Sequence, residues 1–320
     1  MMTPHAAIVY NPANVPVDRL RRAVGEEQRR LQWEDARWYP TSRDDRGQRA
    51  ATAAVAGDPA VIVVAGGDGT VRSVVEALHG SGTPLGLVPA GTGNLLARNL
   101  GLELGDLEAS VRTAFRGATR PVDTATAELV GDDGERTRRA FVVMAGIGLD
   151  AEMAETTSEL AKRRMGWLAY VRPIARSIIM NRQFHVRYRI DGGSTRSARA
   201  HTIIVGNCGT LTGNMLLLPT ARVDDGLLDV VMMRPKGRFG WWSIAVRLIL
   251  QGLARHLRRF ERMMRSTVDL RSLAYAQGRG FDVRFESPHG IELDGDSFDP
   301  IIAAQISIQP AALNVRVAAR

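Results

Sequence analysis

Cysteine is nearly missing from this chain of 320 residues. Cys208 stands alone, which excludes an internal disulfide and a multi-cysteine zinc site and fits a reducing, cytoplasmic setting. The histidines show no spacing suited to a zinc centre or to a nucleophile–base triad. No stretch approaches the ~20 uninterrupted apolar residues of a membrane-crossing helix, and the best candidate, 241–253, is broken by Arg247. The N-terminus, MMTPHAAIVYNP, lacks the basic segment and apolar core of a secretory signal. Aromatic residues make up 6% of the chain and do not alternate with basic ones as stacking platforms would, so no nucleic-acid partner is expected. Lysine is scarce too, since almost every basic residue is Arg. No internal repeat or low-complexity tract is visible.

What is present reads as a soluble globular protein, 45% hydrophobic and 24% charged, long enough for two domains. As far as about residue 125, strands alternate with helices. HAAIVYNP is an apolar strand, 17–31 a charged helix and 50–55 part of a second helix. Residues 61–64 form a β-branched strand, 70–78 a helix, 85–88 a strand, and 94–99 opens another helix. This order predicts a parallel sheet covered by helices, with ligands beyond the carboxyl ends of the strands. Beyond residue 122 come short strand-like runs at 122–129, 140–145, 186–190, 199–205, 227–233, 266–270, 282–285 and 302–308. Turns such as GDDG (131–134), DGG (191–193) and DDG (224–226) separate many of them. Two amphipathic helices, 155–181 and 239–265, interrupt the series. An antiparallel β domain with inserted helices is expected.

The chemistry concentrates at strand ends. In VIVVAGGDGTVRSVVEAL (61–78), a strand delivers the chain to Gly66, Gly67, Asp68, Gly69 and Thr70. There is no P-loop lysine and no dinucleotide-fingerprint spacing. Glycines let main-chain N–H groups approach phosphate oxygens, and the following helix adds its positive end. Asp68 would repel a phosphate unless a Mg²⁺ lies between or it binds a hydroxyl; otherwise it caps the helix. PAGTGNLLARNL (89–100) repeats the arrangement with Gly91, Thr92, Gly93 and Asn94, and two such loops at adjacent strand ends predict one phosphate-binding crevice. ELDGD (292–296) places Asp294 and Asp296 on a Gly-kinked turn. It is either an ordinary turn or the carboxylate that phosphoryl transfer to an alcohol needs near the hydroxyl. ARVDDGLLDV (221–230) is a turn or a loop for a hard cation.

Together with YNP (10–12), VDTATAEL (122–129), MAGIGLDAEM (144–153), VGNCGTLTG (205–213) and LLPTARVDDGLLDV (217–230), these motifs resemble the soluble bacterial lipid kinases of the diacylglycerol kinase catalytic-domain family. Those enzymes are relatives of sphingosine and ceramide kinases and, by fold, of NAD kinase, and the similarity runs nearly end to end. It implies an N-terminal three-layer α/β domain (1–125, completed by 309–320) that binds ATP, and a C-terminal antiparallel β-sandwich with inserted helices (126–308) that takes the lipid. It also implies ATP contacts at Asn11, Thr41, the loop Gly66, Gly67, Asp68, Gly69, Thr70, Val71 and Arg72, and Thr92. Asp296 becomes the proton acceptor, Asp294 assists it or binds metal, Asp68 helps hold the phosphates and metal of ATP, and Asp123 belongs to the active-site network. A structural Mg²⁺ is implied at Asp225 and the carbonyls of Arg222 and Leu227. The segment NPANVP departs from the family, which commonly carries Gly or Lys soon after Asn-Pro.

The net charge of +8 is uneven. Residues 158–200 hold ten Lys/Arg against two acids, and 234–265 hold nine against one, so these two segments are candidates for an anionic membrane surface. In the second, an apolar stripe from Trp242 to Met264 runs beside Arg247, Arg255, Arg258, Arg259, Arg262 and Arg265. That stripe fits a helix covering the sandwich, while the arginines fit lipid head groups. The reading is an ATP-dependent lipid kinase making phosphatidic acid from diacylglycerol, cytoplasmic and peripherally associated with the membrane. A kinase of sphingoid or other long-chain alcohols, an NAD kinase and a non-catalytic lipid-binding protein are the alternatives. A homodimer stays open.

Overall fold

A computed structural model describes residues 3–148 (43, 44 and 46 apart), 183–210, 217–234 and 273–318. The expected helices at 155–181 and 239–265, and the strand at 266–270, lie outside these residues.

The first half alternates as its sequence predicts. β1 (Ala6–Tyr10), β3 (Val61–Gly66) and β4 (Leu85–Pro89) run parallel with β2 (Arg37–Pro40) in the order β4-β3-β1-β2. Every residue of β1 and β3 is buried, as a parallel strand covered on both faces requires. Alternate side chains feed two separate cores. Ala7, Val9, Ile62 and Val64 pack with α2 (Gln48–Ala56), α3 (Asp68–Leu78) and α4 (Leu95–Asn99). Ile8, Val61 and Val63 pack on the other face with α1 (Val17–Leu31) and α5 (Leu107–Arg116). The helix α5 lies so close to β4 that a Cβ on Gly86 would fall 2.3 Å from that of Ala114. Strand β2 and helix α5 are additions to the sequence reading.

Two long strands leave this layer. β5 (Ala118–Gly131) and β14 (Asp296–Val317) pair antiparallel from Ala118↔Val317 to Ile301↔Gly131, and β14 joins β4 through Val315↔Leu85. Their upper parts enter a β-sandwich. One of its sheets runs β6 (Arg136–Phe141), β5, β14, β13 (Gly280–Leu293), β8 (Phe184–Ile190) and β9 (Arg196–Ala200). The other runs β12 (Leu273–Gly278), β11 (Leu228–Met233), β10 (Thr202–Gly206), β7 (Met144–Ile147) and the end of β13. Phe141, Ile147, Val205, Val230, Phe281 and Ile306 interdigitate between them.

Two expected strands are each divided. The run 140–145 ends β6 at Phe141 and begins β7 at Met144; the run 199–205 ends β9 at Ala200 and begins β10 at Thr202. At both breaks the chain passes from one sheet to the other, and the residues there, Val142, Val143 and His201, are buried. Continuous burial hid the crossings, since an apolar run does not show which sheet it pairs with. Among the described residues, no helix is long and apolar enough to cross a membrane.

Candidate active site

The carboxyl ends of β2, β1, β3 and β4 carry Thr41, Asn11, Gly66–Thr70 and Gly91–Asn94 along one edge of the sheet. Asn11 holds its turn by donating its main-chain N–H to the Ala65 carbonyl at 2.9 Å and accepting Ala13 N–H on Oδ1 at 3.0 Å. Thr41 N–H donates to Tyr10 O at 2.8 Å. Gly47, at φ +89°, lies against Thr41, so that a Cβ would fall 2.7 Å from its methyl.

The two glycine loops touch main chain to main chain. A Cβ on Gly91 would come within 2.5 Å of Gly67 Cα, and one on Gly66 within 2.8 Å of Thr70. No other residue type fits either place without displacing its neighbour. Ala90 N–H donates to Gly66 O at 3.0 Å. Asn94, at φ +48°, closes its own loop by accepting Gly91 N–H at 2.9 Å and donating to Gly91 O at 2.8 Å. Asp68 ties the loops together, because its carboxylate accepts Asn94 N–H at 2.9 Å and Leu95 N–H at 2.6 Å. It therefore caps α4, the helix of the second loop, rather than its own α3. Burial pushes its carboxyl above the ordinary range against these two bonds.

The 292–296 stretch is the tip of the β13–β14 hairpin, a two-residue turn with Asp294 at φ +50° and Gly295 at φ +88° between paired Leu293 and Asp296. Both positive angles suit a primed turn, for which Asp-Gly is a favoured pair. The two aspartates face different ways. Asp294 is buried and accepts N–H from Val142 (2.9 Å), Val143 (2.8 Å) and Met144 (2.9 Å). These groups include the sheet crossing between β6 and β7, so Asp294 supplies acceptors at the break. Burial raises its carboxyl to about 6. Asp296 instead crosses to the α/β layer. A Cβ on Gly69 would lie 3.1 Å from its Oδ1, and Arg72 Nε donates to its Oδ2 at 2.7 Å. Arg72 also donates to Glu76 at 2.9 Å, Glu76 lies 3.7 Å from Arg139, and both arginines lie over the Phe298 ring.

Asp123 works where β5 leaves the α/β layer. Its carboxylate accepts Gly226 N–H and Ala311 N–H, each at 2.7 Å, which joins the 221–227 loop to the irregularity in β14. Asn207 completes this junction by donating to Asp123 O at 2.8 Å and Val142 O at 3.1 Å. Asp225 is exposed and accepts Leu227 N–H at 3.1 Å. Partial burial and the nearby Asp229 and Asp123 raise its carboxyl against that bond. Among the described residues, no three acidic, His or Cys side chains converge on one point, so a cation there would have the Asp225 carboxylate, carbonyls and water as its donors. That donor set suits Mg²⁺, which keeps several waters. Cys208 is buried and burial drives its thiol up, as its place in VGNCG suggests.

Thus the fold brings Asn11, Thr41, both glycine loops, Arg72 and Asp296 to one edge. Asp123 on β5 anchors the loop that carries Arg222, Asp225 and Leu227, and Asp294 belongs to the sandwich side of the hairpin. Glu76, Arg139, Phe298 and Asn207 were not foreseen. Asn207 alone carried a signal, a polar residue in the apolar run TIIVGNC.

This geometry defines a two-part α/β and β-sandwich fold with paired glycine loops, and comparison with known proteins gives it a family. Residues 5–127 match the diacylglycerol kinase catalytic domain, and 142–317 match the YegS C-terminal NAD kinase beta sandwich-like domain. The chain belongs to this family of diacylglycerol and YegS-like lipid kinases. It is 29% identical to a diacylglycerol kinase of Mycobacterium tuberculosis over 82% of this chain and 78% of the other. It is 32% identical to a probable YegS-like lipid kinase of Xanthomonas euvesicatoria pv. vesicatoria over 73% of this chain and 74% of that protein. It also spans 54% of an uncharacterized Synechocystis protein at 25% identity. A putative diacylglycerol kinase from Bacillus anthracis str. Sterne superposes with TM-score 0.74 at 19% identity, over 99% of this chain and 96% of that one. Yeast NADH kinase does so with TM-score 0.52 at 10% identity, over 100% and 84%, which supports the NAD kinase-like fold.

Proposed function

We propose that the chain transfers the γ-phosphoryl group of ATP to the free hydroxyl of diacylglycerol, giving phosphatidic acid and ADP. The observation that carries this reading is the approach of Asp296 to Gly69, where a carboxylate from the sandwich meets the main chain of the first glycine loop. In the proposed reaction Asp296 takes the hydroxyl proton as the lipid oxygen bonds to the γ-phosphorus. The bond from phosphorus to the β–γ bridging oxygen breaks and ADP leaves. The main-chain N–H groups of Gly66–Thr70 at the start of α3, with those of Thr92 and Gly93 in the second loop, hold the phosphates, while the N–H groups of Gly91 and Asn94 stay with the Asn94 and Asp68 side chains. Asn11, Thr41 and Thr92 contact the rest of the nucleotide. Mg²⁺ bound with ATP would neutralise charge on the phosphates. A second Mg²⁺ would be held by Asp225 with the carbonyls of Arg222 and Leu227, bracing the loop that Asp123 anchors.

In this reading residues 1–125, completed by 309–320, form the ATP unit and 126–308 the lipid unit. Peripheral docking on an anionic membrane would use the basic segments 158–200 and 234–265. Described residues contribute Arg187, Arg189 and Arg199 to that surface, all exposed.

The test is transfer of radiolabelled phosphate from Mg-ATP to mixed micelles carrying diacylglycerol, sphingosine or ceramide, and separately to NAD⁺, with Asp296→Asn beside the wild type. Label in phosphatidic acid that disappears in the variant is the expected result. Label in another alcohol reassigns the substrate, label only in NADP⁺ overturns the lipid reading, and nucleotide binding without transfer leaves a binding protein.

A further inference from the structure

We infer that Arg72 is a positioning residue for Asp296 and not a ligand of the nucleotide, an inference that rests on the kinase reading only for the role given to Asp296. The resemblance of GGDGTVR to related motifs groups Arg72 with the ATP contacts, but the side chain is turned elsewhere. Arg72 is 4% exposed. Its guanidinium is committed on two edges, with Nε on Asp296 Oδ2 at 2.7 Å and Nη1 on Glu76 Oε2 at 2.9 Å.

Three features fix this arrangement. Arg72 and Glu76 are four residues apart on α3 and so share a face. Asp296 and Phe298 are two residues apart on β14 and so point to the same side of that strand. The guanidinium of Arg72 lies 5.2 Å from the Phe298 ring centroid while it pairs with Asp296, and Arg139 lies 5.7 Å from the same ring. Acids and bases therefore alternate from Asp296 through Arg72 and Glu76 to Arg139, which leaves the buried Arg72 compensated on both sides. To reach a phosphate it would have to abandon two partners in a site shielded from water, and breaking buried pairs is costly. Asp296 is correspondingly held from two directions, against Gly69 in the first turn of α3 and by Arg72 in the second. The helix that opens at the glycine loop thus also sets where the carboxylate from the other half of the molecule points.

The experiment compares wild type, Arg72→Met, Arg72→Lys, Glu76→Gln, Asp296→Asn and the Arg72→Met/Asp296→Asn pair in the full chain. It measures Mg-ATP affinity by calorimetric titration, steady-state transfer and thermal midpoint. Arg72→Met is expected to keep Mg-ATP affinity within about threefold while kcat falls about 30-fold or more, with part of the rate restored by Lys. The pair is expected to be no slower than Asp296→Asn alone and to lose less thermal midpoint than the two single losses summed. Loss of Mg-ATP affinity by about tenfold or more with kcat preserved would make Arg72 a nucleotide ligand and overturn the inference. An unchanged kcat in Arg72→Met would also overturn it. Should Arg72→Met not fold, Arg72→Lys and Glu76→Gln carry the same affinity-against-kcat test. If the wild type phosphorylates no lipid, the kinase reading falls while the titration and the coupling of midpoints still decide whether Arg72 serves Asp296 or the nucleotide.

Discussion

The two regions that meet at the candidate site are held by different means. On the α/β side the glycine loops join main chain to main chain, Gly67 against Gly91, and the Asp68 carboxylate accepts two N–H groups of the neighbouring loop. On the sandwich side the tip of the hairpin reaches across with a side chain, and Asp296 is met by another side chain, Arg72. The first contact is a property of small residues and tight turns. The second is an ion-pair chain that one substitution can break. The comparison also separates carboxylates that a motif groups together. Asp68, Asp123 and Asp294 accept two, two and three main-chain N–H groups, so each has a place in the architecture whatever else it does. Asp296 faces the loop across the junction.

The sharpest way to break this comparison is to change one aspartate of the turn at a time. Asp296→Asn keeps the shape of the residue and removes its capacity to take a proton. Transfer to lipid is expected to fall by about 10²–10⁴, measured as kcat at saturating Mg-ATP. Asp296 is partly exposed and lies outside the sheet crossing, and the amide oxygen of Asn can still accept from the buried Arg72, so the circular-dichroism midpoint should fall, but by less than in Asp294→Asn. A large loss of stability with modest loss of rate would instead make Asp296 a fastener like its neighbour Asp294.

Much of this was legible in the sequence. The alternation of strands and helices to residue 125 follows from β-branched runs and punctuating glycines, and both glycine loops fall where the strands end. The hairpin at Asp294-Gly295 is announced by its turn chemistry. Three kinds of feature were not legible. The sheet crossings at Val142–Val143 and His201 lie inside apolar runs whose pairing partners are far away in the chain. The edge strand β2, RWYP, is short and half-buried, with no alternation to mark it. And the roles of Asp294 and Arg72 depend on contacts 150 and 224 residues away, which no local pattern encodes.

A smaller effect is expected on the main-chain side. In Gly91→Ala the new methyl would lie 2.5 Å from Gly67 Cα and 3.1 Å from Asn94 Oδ1. The first neighbour is backbone and cannot rotate away, so the loops must part. Overpacking of this kind costs about 1–3 kcal/mol, and chemical denaturation should show it as a lower midpoint with unchanged slope. Because the displaced main chain is the proposed phosphate cradle, Mg-ATP affinity should fall with it. Full stability with lost affinity would mean that the loops can separate without cost and touch only when nucleotide is bound.

The finest distinction is the titration of Asp294. Its carboxyl is raised to about 6 in the folded chain by burial, against the opposing pull of three N–H groups, whereas an unfolded chain has it near ~3.9. The folded state therefore holds this proton more tightly. The stability contributed by protonation is fully present below ~4 and is lost as the pH rises through about 6. Between pH 5 and pH 7 that loss amounts to about 1 kcal/mol. Asp294→Asn has no proton to lose and keeps only one carbonyl oxygen for three N–H donors, so it should be less stable throughout. Its deficit relative to wild type should be larger at pH 5 than at pH 7 by the same ~1 kcal/mol, read from paired denaturation curves. A deficit that does not change with pH would mean that the three N–H groups outweigh burial and keep the carboxylate ionised across the range. Asp294 would then brace the sheet crossing as an anion, and its burial beside Asp68 and Cys208 would be compensated by the main chain alone.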